Sequence, residues 1–533
     1  MSQATLEQRP DVEHAVHPDE HQYLSHQQIV IVLFGLMAGV LLAALDQSIV
    51  GTALPRIVSE LGGLDKLAWV VTGYLLTATA ATPLWGKISD LYGRRPIFQA
   101  AIVIFLVGSA LCGLSQNLPE LIAFRALQGI GGGGLMAIAL SIIGDIIPPR
   151  ERGRYQGYFG AVFGVSSVAG PLLGGWFTDG PGWRWIFYIN LPVGIAALII
   201  TTMALNLPMT RRQHRIDFLG AIIIVAGVSA LLLYLNWAGE AYGWLAPGPL
   251  ALLAVAIVLA IAFVAVEHRA AEPIIPMRLF HNSIFAVGNL YGFLSGVAMF
   301  GAIIFLPFYL QAVKGMSPTQ SGLAMLPAVL GILSTSILSG RLISRTGRYR
   351  VFPILGAAVL IVALFLLSRL RVDTPFWQVA LLELFFGAGL GMTIQTITTA
   401  VQNAVEFRDL GTATSATTFF RQMGGTIGSA VFGAVLANRL AVHLVEQTGA
   451  AANLPVGSVD ANNIQAIQSL PEPVKSVVLN AFTQALDDVF MVGVPVVALA
   501  LIVALFLREV PLRTRAQRGP GDAPQTEALS AGL

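Results

Sequence analysis

The stretch Gly86-Lys-Ile-Ser-Asp-Leu-Tyr-Gly-Arg-Arg95 joins two long apolar runs of the chain. A degraded copy, Gly340-Arg-Leu-Ile-Ser-Arg-Thr-Gly-Arg-Tyr-Arg350, again lies between two apolar runs. A short basic loop between two apolar spans is typical of a hairpin on the cytoplasmic side of a membrane. Its recurrence predicts a duplicated membrane domain, which is the architecture of secondary transporters, whose substrate sites lie between the repeats.

The composition places most of the chain in lipid. Of its 533 residues, 55% are hydrophobic and only 11% are charged, and the mean hydropathy is +0.73. Soluble domains carry about 25% charged residues. The net charge of +2 gives no reason to expect a nucleic-acid partner. The single cysteine, Cys112, excludes an intramolecular disulfide and is expected to be a small buried apolar side chain.

The apolar pattern predicts an all-α integral membrane protein. Crossing the hydrocarbon core takes about 20 apolar residues. Fourteen windows meet this need, and an even number places both termini on one side of the membrane. The windows are 28–50, 67–85, 96–115, 120–145, 155–178, 185–206, 217–237, 247–267, 283–311, 318–340, 351–369, 376–402, 411–438 and 488–508.

Basic residues in the connections predict the orientation. Of the 31 lysines and arginines, 21 fall in one set of connections and tails, eight fall in the other, and Arg125 and Arg421 lie inside spans. The positive-inside rule places the richer set, with both termini, in the cytoplasm. We therefore expect a cytoplasmic tail at 1–27, an outer loop at 441–487 and a disordered cytoplasmic tail at 509–533. The four histidines at 14, 17, 21 and 26 fit this solvated tail better than a metal site.

Asp46 is the acid placed deepest in the first span. An ionisable group costs about 2.5–3.5 kcal/mol at the centre of a membrane helix, so it should face a cavity or a partner. Intramembrane acids mark ion pathways, and we expect Asp46 to bind and release protons. The alternative is an acid near the outer mouth that pairs with a helix end.

Arg125 and Gln128 lie near the start of the fourth span. A guanidinium cannot lose its charge, so it needs a counter-charge, carbonyl groups or water. Since the two residues are three positions apart, they share one helix face, which predicts a polar stripe along the transport pathway. The alternative is an arginine that extends its charged end to the membrane surface.

The second half has two charges well inside its spans, Glu383 and Arg421. Glu383 is expected to be a second proton or cation site, unless it lies close enough to the outer face to be hydrated. Arg421 is expected to pair with polar groups of the helix bundle. Neutral polar side chains that could line a cavity in this half are Asn289, Gln395, Gln402 and Asn403.

The opening loop also predicts a conformational latch. Asp90 can accept hydrogen bonds from a helix start, and Arg94 and Arg95 follow the turn at Gly93. Charge pairs here can hold the two halves together on the cytoplasmic side and break when the transporter switches. Ser344 replaces the acid in the second copy, so we expect an asymmetric latch.

Glycine-rich stretches in the fourth and fifth spans need a separate interpretation. The run from Gly129 to Gly134 fits G-x-G-x-x-G, but it lies in the middle of an apolar segment without the preceding strand that a dinucleotide site requires. Close helix packing explains it better. In span five, Gly170-Pro171 and Gly174-Gly175 can loosen a helix that must change conformation.

Five ordered motifs make the chain similar to the major facilitator superfamily, specifically its fourteen-span drug:proton antiporters. Residues 86–95 resemble the superfamily signature between spans two and three, and 46–55 resemble the first-span motif. Arg125 to Gly129 resembles the motif tied to proton coupling. Gly170-Pro171 with Gly174-Gly175 resembles the exporter motif, and residues 183–192 resemble the entry to span six.

The resemblance implies two six-helix bundles, at 28–206 and 283–508, joined by a linker at 207–282 that carries two extra spans. It also implies alternating access in a bacterial cytoplasmic membrane, with protons exchanged for a hydrophobic, cationic drug by a monomer without cofactor or metal. Export of an endogenous siderophore, antibiotic or lipid would use the same fold. Uptake is disfavoured by the exporter motif. A membrane enzyme or sensor lacks a catalytic constellation.

Overall fold

The computed structural model describes residues 26–61, 67–147, 149–205, 217–238, 243–270, 272–448, 471–472 and 474–512. Helices account for nearly all of these residues. The expected cytoplasmic tail at 1–27, including the histidines at 14, 17 and 21, lies almost entirely outside the described residues. So do residues 449–470 of the expected outer loop and residues 513–533 of the second tail.

The first bundle consists of seven helices, of which the last two form a single broken span. They are α1 (His26–Leu61), α2 (Leu67–Tyr92), α3 (Arg94–Leu114), α4 (Leu118–Ile146), α5 (Pro149–Asp179), α6 (Trp185–Tyr188) and α7 (Asn190–Ala204). Helix α4 begins after Asn117, whose side chain accepts from the amide of Glu120 and has a proline after it, a favourable helix start.

Two inserted helices, α8 (Phe218–Trp237) and α9 (Pro247–Glu267), follow the first bundle and pack against each other. The second bundle again has seven helices, and its second span is broken. They are α10 (Ser283–Ala312), α11 (Pro318–Ala324), α12 (Leu326–Thr346), α13 (Val351–Leu367), α14 (Phe376–Ala404), α15 (Leu410–Thr448) and α16 (Val474–Leu505).

Fourteen spans result when α6–α7 and α11–α12 are each counted as one. Among the described residues, eleven helices are long and apolar enough to cross a membrane. The remaining three are α2, α5 and α13, the last of which has 17 residues and is apolar. Span positions therefore match the pattern of the sequence.

The two bundles meet along two pairs of helices. Helix α5 of the first bundle packs along α12 of the second, and α2 packs along α15. Helix α8 lies against both α2 and α15, so an inserted helix covers one of the two seams between the bundles. We call the end of the molecule that carries residues 86–95 the loop face, and the other end the opposite face.

The outer loop and the second tail differ from expectation. Helix α15 continues to Thr448 and α16 already begins at Val474, so the described part of 441–487 is mostly helical. Polar side chains pair across these extensions: Arg439 donates to Asp488 at 2.6 Å, and His443 lies 2.8 Å from the same acid. These pairs stabilise helical extensions of α15 and α16 that are too polar for the sequence to predict them as membrane spans.

Residues 509–512, expected at the start of a disordered tail, instead pack against the turn between α12 and α13. Glu509 accepts from the Tyr349 amide at 2.9 Å, and the Pro511 carbonyl accepts from Asn403 at 3.2 Å. The tail boundary at 509 was therefore wrong by at least four residues, because hydrogen bonds fix this segment without any apolar period.

Candidate functional site

Asp46 lies at the centre of the first bundle and is fully buried. Its Oδ2 pairs with the guanidinium of Arg125. Its Oδ1 accepts from Gln128 at 2.9 Å and from Asn190 at 3.2 Å. Because all three partners are donors, they are arranged around an ionised carboxylate. The structure thus brings together the three residues that the sequence placed in spans one and four.

Arg125 also makes hydrogen bonds and a cation–π contact with residues other than Asp46. Its Nη1 also donates to Gln128 at 2.8 Å, and its Nε donates to the Val70 carbonyl at 3.2 Å. The guanidinium carbon lies 4.4 Å from the centre of the Tyr74 ring, a cation–π contact. With 1% of its surface exposed, Arg125 does not reach the membrane surface, so the alternative of an arginine extended to the interface is wrong.

Asn190 was not singled out as a site residue by the sequence. It begins α7, directly after the break at Ile189, and its amide also donates to Ser109 at 3.0 Å. Ser109 in turn donates to the carbonyl of Phe187 at 2.9 Å. The break positions an amide against the Asp46 carboxylate. The sequence indicated Asn190 only as an uncharged polar residue within 183–192, the stretch that resembles the entry to span six.

The signature loop joins the two bundles on the loop face. Asp90 lies 2.5 Å from Arg94, which also donates to Asp145 at 2.6 Å. The other oxygen of Asp90 accepts from the backbone amide and the hydroxyl of Thr412, at 2.7 and 2.8 Å. Since Thr412 lies in the first turn of α15, Asp90 neutralises the positive end of a helix in the opposite bundle.

Glycines of the loop permit this contact. A Cβ at Gly86 would lie 2.1 Å from Ser415 Oγ, so only glycine allows α2 and α15 to approach this closely. Gly93 has φ +94°, which favours glycine and lets the chain turn from α2 into α3. Arg95 points away from the seam and donates to the Thr202 carbonyl at 2.7 Å.

The second copy of the loop makes different contacts. Ser344 donates to the Gly340 carbonyl of its own helix at 2.9 Å. Arg350 donates to the Leu505 carbonyl at 2.7 Å, which repeats the bond of Arg95 in the first copy. The copies thus share their bracing arginine, while the contact through Asp90 belongs to the first copy.

Further polar contacts close the loop face. Gln402 of α14 donates to the Leu140 carbonyl of α4 at 3.1 Å, and Thr82 donates to Gln422 at 3.2 Å. Arg278, just before α10, donates to Asp409 at 2.7 Å. Gln402 and Thr82, together with Asp90, connect the two bundles, whereas the Arg278–Asp409 pair joins the start of α10 to the start of α15 within the second bundle.

Glu383 and Arg421 stand apart from the Asp46 cluster. Glu383 is fully buried rather than hydrated, and neither of its carboxylate oxygens has a hydrogen-bond partner among the described residues. Arg421 is 9% exposed and makes no ion pair or hydrogen bond within the part of the chain that the structure describes. The expected pairing of Arg421 with polar groups of the bundle is therefore wrong for this conformation.

The span-five motif divides into two kinds of position. A Cβ at Gly170 would lie 2.1 Å from Ser48 Oγ, whose hydroxyl donates to the Ser166 carbonyl at 2.8 Å. Gly170 is therefore needed for the packing of α5 against α1. Gly175, by contrast, has open space around it, so packing does not require a glycine there. Pro171 lies inside the helix, and the Gly174 carbonyl accepts a hydrogen bond from the Thr178 hydroxyl at 2.5 Å.

The glycines of span four pack closely, as expected. A Cβ at Gly133 would lie 2.2 Å from the Ala78 carbonyl of α2. Within the described ranges, no group of three or more His, Cys, Asp or Glu side chains could hold a metal ion.

Comparison with known proteins gives consistent results. The family model of the Major Facilitator Superfamily matches residues 36–429. An uncharacterized MFS-type transporter of Mycobacterium tuberculosis is 43% identical over 482 residues, which cover 90% of this chain and 70% of that protein. The multidrug transporter protein MdtP of Bacillus subtilis is 38% identical over 510 residues, or 91% of this chain and 94% of that one.

Solved structures share the fold. The human organic anion transporter MFSD10 (TETRAN) superposes with a TM-score of 0.59 and 16% identity, over 88% of this chain and 99% of that chain. The proton:xylose symporter XylE gives 0.57 and 15%, over 92% and 98%. These structures confirm the predicted all-α membrane fold with about fourteen helices. The family model and the relatives confirm a transporter rather than an enzyme.

Proposed function

Since the chain belongs to the major facilitator superfamily, we propose that it exports hydrophobic, cationic drugs or toxic compounds in exchange for protons. Support for export comes from relatives named for multidrug transport and from the span-five glycines and proline, which resemble the exporter motif. The coupling group of this proposal is Asp46.

The observation that carries the proposal is the buried Asp46–Arg125 pair. A buried charge whose partner is removed is strongly destabilised, so the Asp46 carboxylate needs Arg125, a proton or another cation at all times. A proton that binds Asp46 removes the reason for Arg125 to stay, and both Gln128 and Asn190 must then rearrange. Protonation is thus coupled to the packing of α1, α4 and α7.

This arrangement explains how exchange can occur. In the structure the contacts on the loop face are closed, and Arg125 serves as the counter-ion of Asp46. A proton replaces Arg125 at Asp46, the bundles rock, and a cationic substrate displaces the proton on the other side. Because one carboxylate serves all three cations, proton and substrate cannot both occupy it.

Glu383 and Arg421 have different places in this proposal. Among the described residues Glu383 has no donor that would hold an ionised form, so it is a candidate for a second proton. Arg421 is a buried cation without an ion pair in the described part of the chain, and it repels a cationic substrate from the second bundle and towards Asp46. Both assignments rest on burial without a partner among the described residues.

The experiment is dye efflux from a bacterial host without its own efflux pumps. Cells that express the protein should keep ethidium out while the proton gradient is present. Addition of an uncoupler should let ethidium accumulate even when ATP is maintained. Efflux that persists without the gradient contradicts proton antiport, and accumulation driven by the gradient contradicts export.

The orientation is tested separately. We propose that the loop face lies in the cytoplasm of a bacterial cell, with both termini on that side and the monomer as functional unit. In a Cys112→Ala background, an impermeant maleimide added to intact cells should label Glu446→Cys and not Arg348→Cys. The reverse pattern would invert the orientation. The molecular mass of the purified, transport-active protein tests whether the functional unit is a monomer.

A further inference from the structure

The motif at the entry to span six is attached to its neighbours at one end and broken in its middle. On the opposite face, Trp183 Nε1 donates to Glu60 at 2.9 Å, and the guanidinium of Arg184 pairs with the same carboxylate. Helix α6 therefore begins at a point that is fixed to the end of α1. The break before α7 follows because Pro192 has no N–H to donate to the carbonyl four residues earlier.

The break places Asn190 against Asp46 through one side of its amide. Asn190 is 1% exposed, and its Nδ2 donates both to Asp46 Oδ1 at 3.2 Å and to Ser109 Oγ at 3.0 Å. Its Oδ1 has no hydrogen-bond partner among the described residues. A buried amide oxygen without a donor costs free energy, so this oxygen gains from any change that brings it a donor.

Gln128 differs from Asn190 in this respect. Its Nε2 donates to Asp46, and its Oε1 accepts from Arg125 at 2.8 Å. A half-turn of the Gln128 amide would place an oxygen against the carboxylate and a nitrogen against the guanidinium, and both bonds would be lost. A half-turn of the Asn190 amide costs no bond at Oδ1. Of the three side chains that bond to Asp46, Asn190 is thus the one with a free acceptor in the described structure.

A proton on Asp46 changes what its neighbours must supply. An ionised carboxylate only accepts hydrogen bonds, whereas a protonated one carries an O–H that needs an acceptor. A half-turn of the Asn190 amide exchanges Nδ2 and Oδ1, and Oδ1 then accepts from that O–H. The proton stays on Asp46, and only the direction of the hydrogen bond reverses.

Ser109 carries this reversal to the break. In the structure its hydroxyl accepts from Asn190 Nδ2 and donates to the Phe187 carbonyl at 2.9 Å. After the half-turn, Asn190 Oδ1 faces Ser109 Oγ, so the hydroxyl must donate to Asn190, because two acceptors would otherwise oppose each other. The Phe187 carbonyl of α6 then loses its hydrogen bond from α3.

We propose that Asn190 is a positioning residue that responds to the protonation state of Asp46 and transmits the change, through Ser109, to the break between α6 and α7. The proposal rests on the proposed function for Asp46 as the group that binds the proton. The titratable or charged side chains that face Asp46 from neighbouring helices are Arg125 of α4, Tyr74 of α2 and Cys112 of α3. Arginine keeps its charge at every pH used below, and tyrosine and cysteine ordinarily titrate above about pH 8.

Infrared difference spectra test the reversal without dye or transport. The purified full-length protein in detergent, with isotope-labelled asparagine, is acidified from about pH 8 to about pH 5. The half-turn gives the side-chain carbonyl of Asn190 a donor, so its stretching band should move to lower frequency. The same shift should be missing in Asn190→Leu and in Asp46→Asn. A wild-type spectrum without an asparagine shift that depends on Asp46 overturns the proposal.

Ethidium affinity, measured by fluorescence anisotropy over the same pH range, gives a second readout. Asn190→Leu keeps the volume and removes a donor to the ionised carboxylate. Since hydrogen bonds to a charged group are the stronger ones, the protonated form should persist to higher pH in this variant. The pH at which the affinity is half-maximal should therefore rise by about one pH unit. A wild-type midpoint in folded Asn190→Leu overturns the proposal.

The matched control is Thr201→Val, which removes a buried hydroxyl of α7 that donates to the Ala197 carbonyl of its own helix at 2.7 Å. It should keep both the wild-type midpoint and the asparagine shift. Thermal unfolding identifies a variant that fails to fold, in which case the other variant of the Asp46–Asn190 pair decides.

Failure of the proposed function gives a different result. An Asp46→Asn variant whose ethidium affinity keeps the pH dependence of the wild type contradicts Asp46 as the coupling acid. A pH dependence that is lost in Asp46→Asn but unchanged in Asn190→Leu contradicts only the role of Asn190.

Discussion

In the first bundle the carboxylate of Asp46 accepts hydrogen bonds from three side chains, whereas in the second bundle neither oxygen of Glu383 has a partner among the described residues. The arginines differ in the same way, since Arg125 pairs with Asp46 whereas Arg421 has no ion pair among the described residues. Both halves of the duplicated fold thus contain a buried acid and a buried arginine, and in the first half these two side chains form a pair. Breakage of the Asp46–Arg125 pair can drive a change of packing.

Replacing the arginine of the Asp46–Arg125 pair should have the largest effect on stability and on efflux. Arg125→Met leaves the Asp46 carboxylate buried without a counter-charge, and we expect a loss of about 3–5 kcal/mol in stability together with the loss of ethidium efflux. The double variant Asp46→Asn/Arg125→Met should regain most of the stability and none of the efflux. Thermal unfolding in detergent measures the first effect. Equal stability of the single and double variants would show that the pair does not control the packing.

The span-five motif should give an intermediate effect. Gly170→Ala forces a Cβ against Ser48, and overpacking of this kind costs about 1–3 kcal/mol. Gly175→Ala meets open space and should unfold at the wild-type temperature or slightly above it, because alanine favours a helix. Efflux by Gly175→Ala then tests whether the span-five motif is a flexible hinge. Full efflux activity would show that the motif serves helix packing alone. Lost efflux with normal stability would support a flexible hinge.

The latch should give the smallest effect. Asp90→Asn keeps an acceptor for Thr412 and removes the charge at the start of α15, which is worth about 0.3–1 kcal/mol. In a Cys112→Ala background, a cysteine at the buried Ser415 should therefore react with a maleimide up to about fivefold faster. The control Ser344→Ala, in the second copy of the loop, should not change the rate. Equal rates in both variants would remove Asp90 from the latch.

The sequence predicted the positions of the spans because twenty apolar residues have few alternatives to a membrane helix. It also predicted the face shared by Arg125 and Gln128, since spacing fixes neighbours within one helix. That Asp46 contacts this face depends on packing between α1 and α4, and the sequence analysis did not predict the contact. Asn190 was missed because a neutral amide at a helix break has no distinctive spacing.

The errors have a common physical origin. Hydropathy detects helices by their contact with lipid, so the polar extensions of α15 and α16, paired through Arg439, His443 and Asp488, read as a loop. Likewise, Arg421 was expected to find polar partners in the bundle, since burial without them is costly. Its lack of an ion pair among the described residues depends on how the helices around α15 pack, and no local sequence pattern records that packing.

The most direct test of the central claim is proton release on ligand binding. Ethidium is added to the purified protein in weak buffer near pH 6, and the pH is followed with a soluble indicator. Molecules in which a proton has replaced Arg125 at Asp46 should release that proton as the dye binds, so wild type and Glu383→Gln should each acidify the solution. Asp46→Asn should bind dye without release, and its affinity should not depend on pH. Wild-type proton release by folded Asp46→Asn would contradict the assignment of Asp46 as the coupling acid.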